Sequence, residues 1–308
     1  MLLPSEATAL QVVGYHYRAP VRSIARFRTG LHHWVYDVLT EAGQALVVRI
    51  ASSPNRPYLA GAVYWHGQLS ALDIPLPTML HAVVDHDPPY LILERLPGTD
   101  LADEYAALSP AQRSAIAARI AALQGRVAQL PLAAGFGYAF RYADALLPRW
   151  EDVLEAAYSR ACDWLAGGPF AGSRWPRRVV QALQRHAGHF PDVRPRAFLH
   201  DTTTKNVLVS GGRVTGIVDV DTMAFGDPLW TVALTRMSLL ARGQPTDYID
   251  AWLGSMPHAA DARRLDLYTA LHGLTLLGEI GRPFNRGPSA PDPEYAARLD
   301  AVLGTLVG

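Results

Sequence analysis

Along the first hundred residues the apolar positions fall in short β-branched runs bounded by turn formers, the pattern of strands rather than helices. Ser23–Arg28 and Val35–Leu39 read as strands flanking the segment Thr29–Trp34. Glu41-Ala42-Gly43-Gln44 is a turn leading into a third strand, Ala45–Ile50. A helical spacing runs from Ala60 to Leu72 and is closed by Pro75 and Pro77, because proline cannot continue a helix. Thr78–Val84 and Tyr90–Glu94 are two further strands, separated by the polar, proline-rich Asp85-His86-Asp87-Pro88-Pro89. Leu96-Pro97-Gly98-Thr99-Asp100 then interrupts the pattern, and the boundary between two units, 1–96 and 97–308, is placed there.

Beyond Leu101 the period changes. Ser109-Pro110 is a favourable N-cap and first-turn pair. Ile116, Ile120, Leu123, Val127 and Leu130 follow at spacings of four and three, which lays them along one helical face. Helices are predicted at Pro148–Leu165, Arg177–His189, Pro228–Ala241, Tyr248–Leu253, Ala262–Ile280 and Pro293–Leu306, with a proline- and glycine-rich loop at Gly281–Pro293. One strand pair, Val207–Val220, interrupts this helical half. The fold class is therefore α+β, with a small β-rich N-terminal lobe and a larger helical C-terminal lobe.

Composition acts mainly by exclusion. The chain has 308 residues, 49% hydrophobic and 18% charged, as a folded protein requires. Lys+Arg and Asp+Glu number 28 each, a balance that speaks against nucleic-acid or anionic-membrane partners. No apolar run reaches the roughly 18 residues of a membrane span, and MLLPSEATALQ lacks the features of a secretion signal. The expected location is the cytoplasm. The single cysteine, Cys162, cannot form an internal disulfide and reads as core packing. No oligomeric state is assigned.

The chemistry concentrates in Phe198–Val209, FLHDTTTKNVLV, and Gly216–Asp221, GIVDVD. Val207–Val209 and Val214–Val218 are strands joined by Ser210-Gly211-Gly212-Arg213, a natural hairpin loop. A hairpin folds its ends together, so Asn206 at the entry comes near Asp219 at the exit. An amide oxygen and a carboxylate there suit Mg²⁺, whose other ligands are water and nucleotide phosphate. Asp201, five residues before Asn206, is placed to accept the proton of an attacking hydroxyl. Asp219 ends an apolar strand, where a carboxylate without a cation partner would be costly. Asp221 is a weaker candidate for a second metal, and Asp227, before Pro228, reads as a helix cap.

These residues resemble the aminoglycoside phosphotransferase and choline kinase-like family, distant relatives of the protein kinases. Asp201, Asn206 and Asp219 match its catalytic-loop Asp, the Asn five residues on, and the metal-binding Asp after a short hairpin. The stretch DVDTMAFGDPLW, ending in Gly-Asp-Pro before a helix, is similar to the family's as well. The resemblance implies a bilobal protein kinase-like fold, with residues 1–96 the nucleotide-binding lobe and 97–308 the catalytic and substrate-binding lobe. It implies ATP and Mg²⁺ as cofactors and a small hydroxyl-bearing molecule as acceptor. Asp201 would orient and deprotonate that hydroxyl, and Asn206 and Asp219 would hold the metal. Arg26–Tyr36, with Thr29 and Gly30, looks like the strand–loop–strand that covers the phosphates. Arg49 takes the place of the phosphate-binding lysine, where a guanidinium can grip oxygens in pairs. YLILERL, Tyr90–Leu96, looks like the last strand and hinge, where backbone would meet adenine near Glu94 and Leu96.

The chain departs from the family pattern at several places. His200 directly precedes Asp201, whereas the family's histidine stands two residues before it. Trp65 lies near the position of the glutamate that pairs with the phosphate-binding residue. Lys205 is read as a solvated loop lysine before a γ-phosphate contact. His32-His33 are read as loop residues, and Tyr268, His272 and Glu279 as facing either a cleft or the core. Asp247, Asp250, Asp261, Asp266, Glu279, Asp292 and Glu294 are spread too widely to form an evident cluster for a polycationic acceptor, so a metabolite or natural product is expected first. The alternative is a catalytically inactive kinase-like nucleotide-binding or scaffolding module. Retention of Asp201, Asn206 and Asp219 together argues against it, since a pure binder needs no base.

Overall fold

The computed structural model describes residues 4–27, 33–186, 190, 192–256, 261–282 and 292–308. The phosphate-loop candidates Thr29 and Gly30 lie outside the described residues, as does most of the Gly281–Pro293 loop.

A helix the hydrophobic pattern did not announce opens the described chain: α1, Glu6–Tyr17. Its start is fixed by a reciprocal cap in which Ser5 accepts from the Thr8 amide and Thr8 accepts from the Ser5 amide. Next come β1 (Val21–Arg26), β2 (His33–Thr40), β3 (Ala45–Ala51), α2 (Arg56–Ser70), β4 (Met79–Val83) and β5 (Tyr90–Glu94). The five strands form one antiparallel sheet in the order β1-β2-β3-β5-β4. Val12 and Val13 of α1 pack with Val38, Val48, Ile50 and Ile92 of the sheet in one apolar cluster. Helix α2 begins four residues earlier than its apolar spacing suggested, because Pro57 sits in the first turn, where a missing amide costs nothing.

The remainder is β6 (Thr99–Asp100), α3 (Leu101–Glu104), α4 (Pro110–Val127), β7 (Gly137–Ala139), α5 (Trp150–Ala166), α6 (Trp175–His186), β8 (Ala197–Phe198), β9 (Val207–Ser210), β10 (Arg213–Ile217), β11 (Met223–Phe225), α7 (Leu229–Ala241), α8 (Asp247–Gly254), α9 (Ala262–Glu279) and α10 (Pro293–Val307). The fold is bilobal and α+β, as expected, with the large core built on α4, α5, α7 and α9. Two small sheets stiffen this helical lobe: β10-β9-β6 carries the predicted hairpin, and β7-β11-β8 includes the strand that leads into the Asp201 loop. Trp65, Leu69 and Ile74 belong to the large core although they precede the hinge, so α2 is rooted in the helical lobe. Among the described residues no helix is long and apolar enough to cross a membrane.

Candidate active site

The hairpin closes as its sequence requires. Ser210 pairs with Arg213, and the two intervening glycines both have positive φ, 57° and 72°, the geometry of a two-residue hairpin turn that other residues adopt only with strain. Val207 pairs with Ile217, and the Val218 amide donates to the Asn206 carbonyl at 3.0 Å. Asn206 and Asp219 are thereby set beside each other.

The Asn206 side-chain amide donates to the Asp201 carbonyl at 3.0 Å, which fixes the loop and leaves the side-chain oxygen of Asn206 without a partner among the described residues. Thr203 donates its hydroxyl to one oxygen of the Asp201 carboxylate (3.0 Å), so the other oxygen can receive a proton. The threonine run between them, unusual in sequence, is buried structure. Gln124 of α4 clamps the Leu199 backbone from both sides, at 2.9 and 2.8 Å, and donates to Thr202 at 3.1 Å. The Ala102 amide holds the Thr204 carbonyl. Gln124 was legible only as a polar residue beside the apolar stripe of α4.

Arg49, on β3, reaches across to the hairpin. One of its terminal nitrogens donates to Asp219 Oδ1 at 2.7 Å and to Asp221 Oδ2 at 2.9 Å. His33 Nε2 donates to the same Asp221 oxygen at 2.7 Å. This corrects the reading of His33 as a loop residue: it opens β2 and is 4% exposed. Burial alone would lift the Asp221 carboxyl, but the Arg49 charge and the His33 hydrogen bond outweigh it and hold Asp221 below the ordinary value. Asp219 moves the other way, pushed up by burial and then by the neighbouring Asp221 charge. Its side chain is still 42% accessible. Its φ of 64° is left-handed, a strain of about 1 kcal/mol that only a tightly held segment sustains.

No carboxylate of α2 orients Arg49, for α2 has none. Trp65 is buried and donates its indole N–H to the Ala139 carbonyl at 2.8 Å. The residue of α2 that faces the segment after the hairpin is Gly61, where a Cβ would stand 2.2 Å from the Asp221 carbonyl oxygen and 2.8 Å from the Phe140 ring. Asp219 and Asp221 thus take over the orienting role from the helix.

Three carboxylates, Asp201, Asp219 and Asp221, act on one another here against the single guanidinium of Arg49. Negative charge is in excess, Asp221 Oδ1 is buried without a hydrogen-bond partner, and the donors at the accessible edge are oxygens. That set fits a hard divalent cation. His33, Asp219 and Asp221 also offer ligand atoms within 4.8 Å of one another.

At the hinge Glu94 bonds Thr78 through its amide and its carboxylate, and the Leu96 carbonyl accepts from the Arg95 side chain at 2.8 Å. Asp227 accepts from the Leu229 amide at the start of α7 and also binds Arg264 and Tyr268, so it caps and anchors together. His200 packs edge-on against Tyr138, with ring centroids 5.0 Å apart. His272 and Tyr268 are buried in the core.

Solved structures share this architecture. A thermostable mutant of aminoglycoside phosphotransferase APH(4)-Ia, in ternary complex with ADP and hygromycin B, superposes with a TM-score of 0.71 at 21% identity, over 98% of this chain and 99% of that one. The GDP complex of wild-type aminoglycoside 2'-phosphotransferase-IIIa gives 0.70 at 13% identity, over 98% of each. ADP-bound aminoglycoside phosphotransferase APH(2'')-Ib gives 0.62 at 12%, again over 98% of each. No curated protein sequence matches the chain. The model of the phosphotransferase enzyme family matches residues 23–268, a span that runs from within β1 through the Asp201 loop and the β9–β10 hairpin into α9. The chain belongs to the phosphotransferase enzyme family and is an enzyme of phosphoryl transfer.

Proposed function

We propose that the protein transfers the γ-phosphoryl group of ATP to a hydroxyl of a small molecule, with Mg²⁺ held by Asn206 and Asp219. The observations that support this reading are the Asp201 carboxylate with one oxygen left open, the Asn206 side chain tied to the same loop with its oxygen unpartnered, the hairpin that sets Asn206 beside Asp219, and the Arg49 guanidinium bound to the accessible Asp219 carboxylate. Thr29 and Gly30 would cover the phosphates, and the hinge at Glu94 and Leu96 would meet adenine.

In the step, the acceptor O–H bond breaks and its proton passes to Asp201. The acceptor oxygen bonds the γ-phosphorus as the bond to the β,γ-bridging oxygen breaks, and ADP leaves. The chain's share is placement and charge. Asp201 aligns the hydroxyl, and Arg49 binds phosphate oxygens once ligand contacts replace part of its hold on the two aspartates. Bound magnesium would neutralise charge on the phosphates.

Turnover of ATP with pooled alcohols tests the assignment. Asp201→Ala is expected to lower turnover by about 10²–10⁴-fold while nucleotide affinity stays within a few-fold. Equal turnover in the variant would remove Asp201 from its role. Turnover absent in the wild type, with nucleotide still bound, would favour the non-catalytic module.

A further inference from the structure

A cavity of about 460 Å³ adjoins the strand that leads into the Asp201 loop, and its size falls in the range of roughly 300–1,000 Å³ of small-molecule sites. None of Arg49, Asp201, Asn206 and Asp219 lines it. Its apolar wall is Phe198 at the end of β8, Leu229 of α7 and Trp252 of α8, all three buried. Gln124 of α4 lines it as well. That side chain clamps the Leu199 backbone at 2.9 and 2.8 Å and donates to Thr202 at 3.1 Å. An occupant of the cavity thus meets the group that holds the residues on either side of His200-Asp201.

Three arginines and three aspartates line the same cavity, and they are engaged unequally. Asp227 accepts from Arg264 at 3.1 Å, from the Tyr268 hydroxyl and from the Leu229 amide. Asp261 accepts from the Arg263 and Arg264 amides, so its charge is set against the N-terminus of α9. Arg194 makes no side-chain hydrogen bond or ion pair among the described residues, and Arg196 reaches only the Ala128 carbonyl, at 3.5 Å. Against these two stands Asp192, the one lining carboxylate without a partner among the described residues. Arg194, Arg196 and Asp192 are all exposed, as groups at a rim are. Two guanidiniums and one carboxylate leave a single positive charge and an excess of donors.

We propose that this cavity is a second small-molecule site, separate from the phosphotransfer site, and that it takes a compound with an aromatic or apolar body and one anionic group. The body lies against Phe198, Leu229 and Trp252, and the anion against Arg194 and Arg196. The planar donor fork of a guanidinium matches a carboxylate or phosphate, and these two bind one without first giving up an internal ion pair. An ammonium group brought to the same rim is repelled.

Three probes share one body and differ in charge: 2-naphthoate, 2-naphthamide and 2-naphthylmethylamine. Their binding to the full chain is measured by calorimetry at low salt, alone and with a saturating non-hydrolysable ATP analogue and Mg²⁺. No turnover is read, so the outcome is separate from that of the phosphotransfer reading. Naphthoate is expected to bind about tenfold more tightly than naphthamide, with the amine weakest, and nucleotide to leave its affinity within a few-fold. Gly125, on α4, also lines the cavity, and a Cβ there meets nothing within 4 Å. Gly125→Trp therefore fills the space while α4 gains helix propensity, and it is expected to abolish naphthoate binding with Tm undiminished. In the double variant Arg194→Gln, Arg196→Gln, naphthoate and naphthamide are expected to bind alike. No naphthoate binding in the wild type, a preference for naphthamide or the amine, displacement by nucleotide, full binding in Gly125→Trp, or an anion preference that survives the double variant overturns the proposal.

Discussion

His272 shows how one buried side chain sets a condition on the whole chain. Its Nε2 lies 3.0 Å from the Trp230 carbonyl and the ring is 6% exposed, which decides between the cleft and core readings that the sequence left open. Burial lowers its pKa from 6.5 to about 3, partly offset by the hydrogen bond to the Trp230 carbonyl and aided by the weaker effects of the Arg160 and His200 charges. In the unfolded chain the ring takes a proton once pH falls below about 6.5. In the folded chain it does not until about pH 3, so acid favours unfolding across that window. The stability lost to this group is about 2 kcal/mol by pH 5. His272→Gln, which can still donate to the Trp230 carbonyl, is expected to flatten the decline when urea unfolding is followed from pH 7 to pH 5. Unchanged pH dependence in that variant would show that His272 is not the responsible group. Legibility at this scale follows sequence distance. Asp201, Asn206 and Asp219 declare themselves because a short loop and a hairpin fix their relations locally. His33 does not, since its partner Asp221 lies 188 positions away and only the sheet brings them together.

Among the elements, α2 is where a local rule and a tertiary contact disagree. Alanine is preferred to glycine inside a helix by up to about 1 kcal/mol, and α2 contains two glycines. A Cβ at Gly67 meets nothing within 4 Å, whereas at Gly61 it would be 2.2 Å from the Asp221 carbonyl. Gly67→Ala is therefore expected to stabilise the protein by about 0.5–1 kcal/mol. Gly61→Ala should destabilise it by about 1–3 kcal/mol and raise the KM for ATP, because α2 and the Asp219–Asp221 segment must move apart. Chemical denaturation of the two variants side by side checks the opposite signs, and stabilisation by both would deny the close approach. The pattern of α2 was readable, and so were most long elements with a clear period. The capped α1 and the strands β6, β7, β8 and β11 were not. A strand of two or three residues has no room for a period, and its pairing with distant segments, such as Met223 with Ala139, leaves no local trace.

At the scale of the molecule, separate apolar clusters in the two lobes are bridged by polar contacts between β2, β3 and the segment after the hairpin. The sheet lobe has its own apolar cluster under α1, and the helical lobe has the large one. Arg49 and His33 link them at the candidate site, Arg49 bound to Asp219 and Asp221 and His33 to Asp221, while α2 anchors from the side. The division into a strand half and a helical half was visible as a change of period near Leu96. The link across it was not, because nothing in the run Val47–Ile50 says which carboxylate Arg49 meets. A nucleotide with magnesium placed in the cleft would touch both lobes and satisfy the excess negative charge of Asp219 and Asp221. Binding to the folded state alone stabilises by about 2.7 kcal/mol at a hundredfold excess over Kd, which for a chain of this size raises the melting temperature by several degrees. ATP with Mg²⁺ is thus expected to raise Tm more than ATP with EDTA does. In Asp219→Asn the amide keeps the left-handed backbone tolerable but removes the charge, so the two increments should become equal. If Asp219→Asn retains the full magnesium-dependent increment, the cation is held elsewhere and the hairpin's part in binding it must be given up.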